Sequence, residues 1–463
     1  MSIVATSSAT CQINGFMAGV PAIGANETMA TAARCLTDLT ARIGQYGFGR
    51  GLSAIVAAGV GMRLLLRALH GTANYHGEGY GFFFDLAANL AAGRGYQLAE
   101  GELTAFRVPG YPLFLLALTE GQWQPWLIIT AQALLGGLTA IAAALIARDL
   151  FGSRAGLLAG AAAAFYPYYL WHDTALQETA LVTCLTAWAT LVLLRLARSG
   201  TLRLALLAGA LLGAAVLTRE TTLPFALLAP LWAGRHVARL RGVRRGMVAA
   251  GAILTVLGAG LTPWLVHTTN EYGEPVLGSE FGAALYAGTD PLLFSFYPDG
   301  SVDDSRAAIF ARLPLAYAAQ LAATDQPPLA RDHLYRDWAL ERIAADPAGF
   351  AARSVRKVWI AFRPLPSPLH GMAENLAYVV IWVPLLLLGL AGLWSARAQW
   401  RRDLLIYAQF GAFIAITGVL WAQTAHRVFL DLYLMIYAAG FVSRWIDRRR
   451  SGPELADQAL RSA

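Results

Sequence analysis

Residues 404–450 read LLIYAQFGAFIAITGVLWAQTAHRVFLDLYLMIYAAGFVSRWIDRRR. A short polar turn separates two apolar runs, and arginines follow the second run. A helix of roughly 20 mostly apolar residues crosses the hydrocarbon core of a bilayer, and both runs are about that long. The stretch therefore predicts two membrane-spanning helices joined at one surface.

The same alternation of apolar runs and short polar connections continues along the chain. Of its 463 residues 57% are hydrophobic and only 14% are charged, which argues against an assembly of soluble domains. We expect an all-α polytopic membrane protein with about ten transmembrane helices. The predicted spans are residues 52–69, 125–147, 154–171, 174–197, 202–217, 221–234, 246–267, 374–395, 403–421 and 427–446.

Arginines fill every second connection between these spans. Because basic residues of short loops are retained in the cytoplasm, both termini are predicted to be cytoplasmic, in a bacterial inner (plasma) membrane. The net charge of +7 is then a topology signal, and no nucleic-acid partner is expected. The arginines concerned are Arg148 and Arg154; Arg195, Arg198 and Arg203; Arg235, Arg239, Arg241, Arg244 and Arg245; Arg397, Arg401 and Arg402; and Arg444, Arg448, Arg449 and Arg450.

These boundaries divide the chain into five parts. The first outer loop, residues 70–124, is expected to contain interfacial helices, one of them starting after Tyr80. The parts are a cytoplasmic tail (1–50), a transmembrane module that includes the first outer loop (51–267), a small extracytoplasmic subdomain (268–373), C-terminal transmembrane helices (374–447) and a cytoplasmic tail (448–463).

Two carboxylates in the first outer loop are candidates for catalysis. The loop contains HGEGYGFFFDLAANLAAGRGY, in which Glu78 precedes the predicted helix and Asp85 lies on it. Either acid could face a cavity at the bilayer surface and act as a general base. The alternative is that both are ordinary solvated acids.

Three arginines at outer helix ends are candidates for binding a phosphate. Arg107 lies in TAFRVPGYPLF, Arg219 in LTRETTLPF and Arg427 in AQTAHRVFLDLY. A guanidinium matches phosphate oxygens with a fork of N–H donors. Alternatively, Arg107 reaches anionic headgroups, Arg219 pairs with Glu220, and Arg427 pairs with Asp431 four residues later.

Two further polar residues lie at the same predicted surface. Glu178 falls slightly inside an apolar run, where an ionisable group is costly and suggests function, although a carboxylate at a helix start also satisfies the helix dipole. His426 precedes Arg427 at the outer end of the last span. The chain shows no metal-ligand spacing and no phosphate-binding glycine loop.

With these residues identified, the chain resembles the integral membrane glycosyltransferases of the C-type fold, in particular bacterial relatives of protein O-mannosyltransferases and of the lipid A aminoarabinose transferase. The resemblance follows LAANLAAGRGY, TAFRVPGYPLFLLAL, LQETALV, LTRETTLPF and AHRVFLDLYLMIY in that order. It implies a polyprenyl-phosphate sugar as donor and a catalytic acid in the first outer loop. The family pattern Asp-x-x-x-Tyr is displaced by one residue at Glu78, so Glu78 and Asp85 both stay open.

The resemblance also assigns the basic residues and the reaction. Arg107, Glu178, Arg219 and Arg427 match positions of the family. Together with Tyr111 of the Pro-Gly-Tyr-Pro stretch, Glu220 and His426, they are the candidate residues for binding the donor phosphate or the substrate. We expect transfer of the sugar, with inversion, to an extracytoplasmic lipid, glycan or protein acceptor. The lipid-linked donor is the one cofactor-like molecule expected, a divalent metal is left open, and membrane lipids are the other partners. A lipid-linked glycan flippase or transporter, or a glycan polymerase or ligase, is the alternative.

Overall fold

The computed structural model describes residues 25–99, 102–322, 328–366, 368–369 and 371–462. Its described helices are α1 (Ala25–His70), α2 (Phe82–Ala91), α3 (Gly110–Thr119), α4 (Pro125–Phe151), α5 (Ser153–Phe165), α6 (Pro167–His172), α7 (Thr179–Ser199), α8 (Leu202–Thr218), α9 (Leu223–Arg241), α10 (Val243–Tyr272), α11 (Phe281–Thr289), α12 (Val302–Ala311), α13 (Leu315–Ala322), α14 (Pro328–Ala345), α15 (Pro347–Phe362), α16 (Met372–Ser395), α17 (Trp400–Val419) and α18 (Val428–Ser462).

Short elements connect these helices. A two-stranded antiparallel hairpin, β1 (Gln97–Ala99) and β2 (Glu102–Leu103), follows α2. Three-residue or four-residue 3-10 helices lie at Glu220–Thr222, Arg397–Gln399 and Thr424–Arg427. The chain divides into two compact units at Arg50, and everything below concerns the second unit, which begins at Gly51. Residues 1–24 of the predicted N-terminal tail lie outside the described residues.

The all-α polytopic fold predicted from the sequence is confirmed. By length and apolar composition, 7 helices of the described residues can cross a membrane, where the sequence predicted about ten. These 7 correspond to seven of the predicted spans. They are Gly47–His70, Pro125–Phe151, Thr179–Ser199, Val243–Tyr272, Met372–Ser395, Arg397–Val419 and Thr424–Arg449.

The other three predicted spans correspond to shorter or more basic helices. α5 has 13 residues and ends at Phe165, because Pro167 two residues later lacks the N–H that would continue the helix. α8 has 17 residues, and α9 has arginines in its last turns. The number of membrane spans identified by helix length is therefore smaller than the number predicted from the alternating charge of the loops.

Small side chains bring neighbouring spans together. α4 presents the fully buried Ala140, Ala143 and Ala147, and α5 packs on it with Ala159 and Ala163. Without a hydrophobic driving force between helices in lipid, such small residues favour association by allowing close backbone contact. The buried core of the spans is continuous from α4 to α18.

Helices α11 to α15 surround a separate aromatic core. The rings of Tyr317 and Trp338 stack with centroids 4.0 Å apart, and Tyr286, Phe310 and Tyr335 pack around them. α12 begins with a capping box between Ser301 and Asp304. These helices fall within the range predicted to form the outer subdomain, residues 268–373.

Candidate active site

An arginine and a glutamate from two neighbouring spans form the centre of the site. Glu178 immediately precedes α7, and Arg219 lies in extended conformation between α8 and the 3-10 helix Glu220–Thr222. Arg219 donates from Nε and Nη2 to the same oxygen, Glu178 Oε1, at 3.1 and 2.6 Å. Among the described residues, the second oxygen, Oε2, is buried and has no hydrogen-bond partner.

This pairing determines the charge of the glutamate. Burial alone would raise the pKa of Glu178, but the charge and hydrogen bonds of Arg219 outweigh it, so the pKa lies below its ordinary value. Glu178 is therefore a carboxylate at neutral pH. Arg219 pairs with Glu178 and not with its neighbour Glu220, which is partly buried at the start of the 3-10 helix.

Three aromatic or imidazole side chains lie near this pair. The hydroxyl of Tyr80 is influenced by the charges of Glu178 and Arg219, and burial raises its pKa. Burial, followed by the charge of Arg219, lowers the pKa of His172 to about 4, so its imidazole is neutral at physiological pH. His426 is influenced by the same two charges, and its Nδ1 accepts a hydrogen bond from the backbone N–H of Gln423 at 2.8 Å.

Arg107 approaches the same region from the segment between β2 and α3. Its charge acts on both Glu178 and His426. The guanidinium lies 4.0 Å from the centre of the Phe106 ring, and Nη1 is 3.5 Å from Oε2 of Glu280. About a third of the side chain is exposed, so Arg107 can contact a bound molecule.

Glu78 is held by two side chains from the end of α1, those of Arg67 and His70. Its Oε2 lies 2.7 Å from Nη1 of the buried Arg67, and its Oε1 lies 3.3 Å from Nε2 of His70. Two residues later, the N–H of Tyr80 donates to the carbonyl of Leu176 at 2.8 Å. The Glu78 loop is thereby attached to the chain segment that leads into Glu178.

Asp85 has a different environment. It lies in the first turn of α2, where Oδ1 is 3.0 Å from Nε2 of His76. Both side chains are about half exposed, at 47% and 49%. Exposed pairs of this kind are weak because water screens the two charges.

Two predicted binding residues are engaged inside the protein. The hydroxyl of Tyr111 is fully buried and donates to Gln132, whose amide donates to the carbonyls of Asp173 and Ala175. In this position Tyr111 fixes α3 against α4 and the segment before α7.

Arg427 is engaged in the same way. It donates to the carbonyl of Ala361 at 2.6 Å, to the hydroxyl of Tyr378 at 2.7 Å and to Asp431 Oδ1 at 3.2 Å. The ion pair with Asp431, which the sequence offered as the alternative, is present, and only 1% of either side chain is exposed.

Sequence analysis missed several charged residues of this region. Glu280 directly precedes α11 and Arg306 lies on α12, in a segment where polar residues are common and neither has a distinctive spacing. Arg67 lies toward the end of the first predicted span, where an arginine is expected to reach the surface or find a partner, but its pairing with Glu78 was not predicted. Among the described residues, no three His, Cys, Asp or Glu side chains are placed to hold a metal ion.

One family model matches part of the chain. Residues 111–266 match the family described as dolichyl-phosphate-mannose-protein mannosyltransferase. The match includes Glu178 and Arg219 and ends before the outer subdomain. No protein of curated function matches the chain.

Several solved structures are similar to the chain. The apo oligosaccharyltransferase of Archaeoglobus fulgidus has a TM-score of 0.50 at 14% identity, over 88% of this chain and 52% of that one. AglB from the same organism, in complex with an inhibitory peptide and a dolichol-phosphate, gives 0.45 at 13% identity, with 88% and 52% covered. ArnT from Cupriavidus metallidurans bound to undecaprenyl phosphate gives 0.36 at 15% identity, with 85% and 77% covered.

The chain spans about half the length of the oligosaccharyltransferases that it resembles. At 14% identity and a TM-score of 0.50, the likeness concerns the fold. Together with the family match, it confirms the resemblance predicted from the sequence: the chain has the C-type fold of integral membrane glycosyltransferases.

Proposed function

We propose that this chain is a glycosyltransferase that moves a sugar from a polyprenyl-phosphate carrier to an extracytoplasmic acceptor, with inversion. The observation that carries the proposal is the convergence of Arg219, Glu178 and Arg107, from three separate segments, around one set of polar side chains. The family description, which names a dolichyl-phosphate sugar, supports this class of donor.

Arg219 and Arg107 are the proposed partners of the donor phosphate. Arg219 uses Nε and Nη2 for Glu178, which leaves Nη1 to donate to a phosphate oxygen. Glu178 thereby fixes the orientation of the guanidinium, and the exposed part of Arg107 supplies a second positive charge. Fixed cations of this kind stabilise the negative charge that develops on a leaving phosphate.

Glu78 is the proposed general base. It belongs to a loop that is anchored to the segment leading into Glu178, whereas Asp85 is half exposed on α2. A nucleophilic oxygen or nitrogen of the acceptor attacks the anomeric carbon from the face opposite the carrier. The bond to the phosphate oxygen breaks, its electron pair stays on the carrier phosphate, and the acceptor proton passes to Glu78.

Sidedness follows from the arginine pattern of the sequence. The loops that carry Glu78, Arg107 and Arg219 are those without the retained arginine clusters, so the proposed site faces the extracytoplasmic side of a bacterial plasma membrane. Both termini are then cytoplasmic. The acceptor is a lipid, a glycan or a protein reached from that side.

The test is transfer of a radiolabelled sugar by the purified chain. The protein in detergent is given polyprenyl-phosphate sugars and an extract of membranes, and new labelled products are separated from the donor. We expect covalent transfer, and we expect Arg219→Gln to weaken donor binding. Movement of the labelled donor across vesicles without any new covalent product would instead indicate a flippase and overturn the proposal.

A further inference from the structure

A carboxylate of the outer subdomain lies between two arginines of different origin. Glu280 directly precedes α11, and its Oε2 is 3.5 Å from Nη1 of Arg107 and 3.6 Å from Nη2 of Arg306 on α12. Charge-assisted hydrogen bonds between guanidinium and carboxylate are shorter, at about 2.7–2.9 Å. Glu280 therefore lies in the field of both cations without a close bond to either.

Two buried donors without acceptors belong to Arg306 and to its neighbour Trp421. In the part of the chain that the structure describes, Nε of Arg306 is buried without a hydrogen-bond partner, and so is Nε1 of Trp421. The Arg306 guanidinium lies 5.2 Å from the centre of the Trp421 ring. A buried donor without an acceptor is unfavourable, so the region is suited to a ligand rich in acceptor oxygens.

The group formed by Arg107, Glu280, Arg306 and Trp421 is continuous with the candidate active site. Arg107 belongs to both, since its charge also acts on Glu178. On the other side, the rings of Trp421 and His426 contact each other at 5.4 Å. An anion in place of the Glu280 carboxylate would therefore contact both Arg107, which belongs to the candidate active site, and Arg306.

We propose that Arg306 is a further phosphate-binding residue and that Glu280 occupies the position of a phosphate oxygen until the lipid carrier displaces it. The inference rests on the proposed function and adds to it a residue of the outer subdomain. With Glu280 displaced, a carrier phosphate gains the charges of both arginines and meets N–H donors that now lack acceptors.

A consequence concerns the order of binding and release. A donor phosphodiester carries one negative charge, whereas the free polyprenyl phosphate left after transfer carries between one and two at neutral pH. The product is thus attracted more strongly than the donor, and return of Glu280 to the arginines favours its release. Removing the Glu280 charge should therefore strengthen product binding.

The experiment measures binding of radiolabelled undecaprenyl phosphate to the purified full chain. We expect Glu280→Gln to raise the affinity about tenfold and Arg306→Gln to lower it about tenfold. Matched controls are Glu274→Gln, an acid paired with His333 in the same outer segment, and Arg312→Gln, an exposed arginine just after α12. Neither control should change the affinity.

A gain of affinity in Glu280→Gln cannot come from misfolding, so this variant keeps the inference testable even if Arg306→Gln is unstable. Unchanged affinity in both variants overturns it. Undecaprenol and inorganic phosphate serve as further probes. If the protein binds inorganic phosphate through Arg306 but does not bind undecaprenyl phosphate, the site takes a free anion, and the inference is also overturned.

Sugar transfer measured on the same preparations separates this inference from the proposed function. If the wild-type protein transfers sugar but its affinity for the carrier does not change in Glu280→Gln and Arg306→Gln, only the further inference is contradicted. Absence of both transfer and carrier binding in the folded wild-type protein contradicts the proposed function itself.

Discussion

Arg67 and Glu78 form an ion pair in which Nη1 of the arginine lies 2.7 Å from Oε2 of the glutamate. Arg67 is almost completely buried near the end of α1, and its guanidinium lies 4.7 Å from the centre of the Tyr75 ring. In the described part of the chain, its Nε and Nη2 have no other acceptor. The candidate base of the first loop is thus held by a cation that belongs to the preceding span.

The two acids of the first loop should differ in their effect on catalysis. We expect Glu78→Gln to lower kcat about 10²–10⁴-fold, the usual contribution of a general base, with little change in the KM for the donor. Asp85→Asn removes an exposed pair with His76 and should keep kcat within a few-fold of wild type. Steady-state transfer assays with both variants check this. A large loss in Asp85→Asn alone would assign the base to Asp85.

Gly79, beside the proposed base, allows the loop to contact the segment before α7. A Cβ on Gly79 would lie 2.5 Å from the carbonyl oxygen of Leu176 and 2.8 Å from its nitrogen, and backbone atoms cannot move aside as a flexible side chain could. Gly79→Ala should therefore displace Glu78 and reduce transfer at least tenfold, on the scale expected when a reacting group is misplaced by about 1 Å.

Gly77→Ala is the matched control, because its Cβ would meet only the carbonyl of Asn74 at an ordinary 3.7 Å. Transfer by Gly77→Ala should stay close to wild type, and both variants should elute as folded protein in size-exclusion chromatography. Equal activity of Gly79→Ala and Gly77→Ala would show that the loop position does not limit catalysis.

Seven of the ten spans predicted from the sequence correspond to helices long and apolar enough to cross a membrane, because apolar length is a local signal. The helix after Tyr80 was also predicted, and α2 begins at Phe82. The split between α5 and α6 was missed, although Pro167 marks it. The number of spans by helix length differs for this reason, because α8 is short and because α9 has arginines in its last turns.

Side-chain partners could not be derived in the same way. Arg63 pairs with Asp173, which is 110 residues away in the sequence, so no local pattern connects them. For Arg427 the sequence allowed two partners, a phosphate or Asp431. Which of them it contacts depends on whether its guanidinium points into the helix bundle, as it does here. Arg306 has neither an apolar context nor a motif, so only the folded outer subdomain brings it near the site.

The Arg63–Asp173 pair predicts a large effect of one added methyl group. A Cβ on Gly136 would lie 2.4 Å from Oδ2 of Asp173 and 2.6 Å from Nε of Arg63, inside a fully buried ion pair. Gly136→Ala should lower the free energy of unfolding by about 1–3 kcal/mol, the range found for overpacking.

Gly251→Ala on α10 is the matched control, since no atom lies within 4 Å of its added Cβ. Its free energy of unfolding should change by no more than about 1 kcal/mol, in the direction that helix propensity favours. Thermal unfolding in detergent measures both variants. A Gly136→Ala protein as stable as Gly251→Ala would mean that the buried pair can shift without cost.

Substitutions of Arg427 and Arg219 should affect different properties, stability in the first case and donor binding in the second. Arg427→Gln breaks a buried ion pair with Asp431 and should cost about 3–5 kcal/mol of stability. The Glu178 side chain is 13% exposed, so water can reach its carboxylate when Arg219 is replaced. Arg219→Gln should therefore chiefly lower the affinity for polyprenyl phosphate. Unfolding midpoints and carrier binding, measured on the folded fraction of each variant, test this. Reduced carrier affinity in folded Arg427→Gln would give that arginine a role at the phosphate.

Lys357, the one lysine of the chain, predicts a pH-dependent stability. It lies buried on α15, and its Nζ donates to the carbonyls of Gly288 and Val419, at the C-terminal ends of α11 and α17, at 3.1 and 3.0 Å. Burial, followed by the charge of Arg353, lowers its pKa from 10.5 to about 7. Between these two values the unfolded chain holds a proton that the folded chain has released. Stability therefore rises with pH through that window and is lost as the pH falls toward 7.

Lys357→Met removes this titration. From pH 7 to pH 9 the wild-type protein should gain stability relative to Lys357→Met, by at most about 1.4 kcal/mol per pH unit. Arg356→Met, at an exposed position of the same helix, should show no such trend. Unfolding midpoints across this pH range measure the difference. A wild-type advantage that stays constant from pH 7 to pH 9 would mean that Lys357 keeps its proton in the folded protein and acts as a charged cap on the two helix ends.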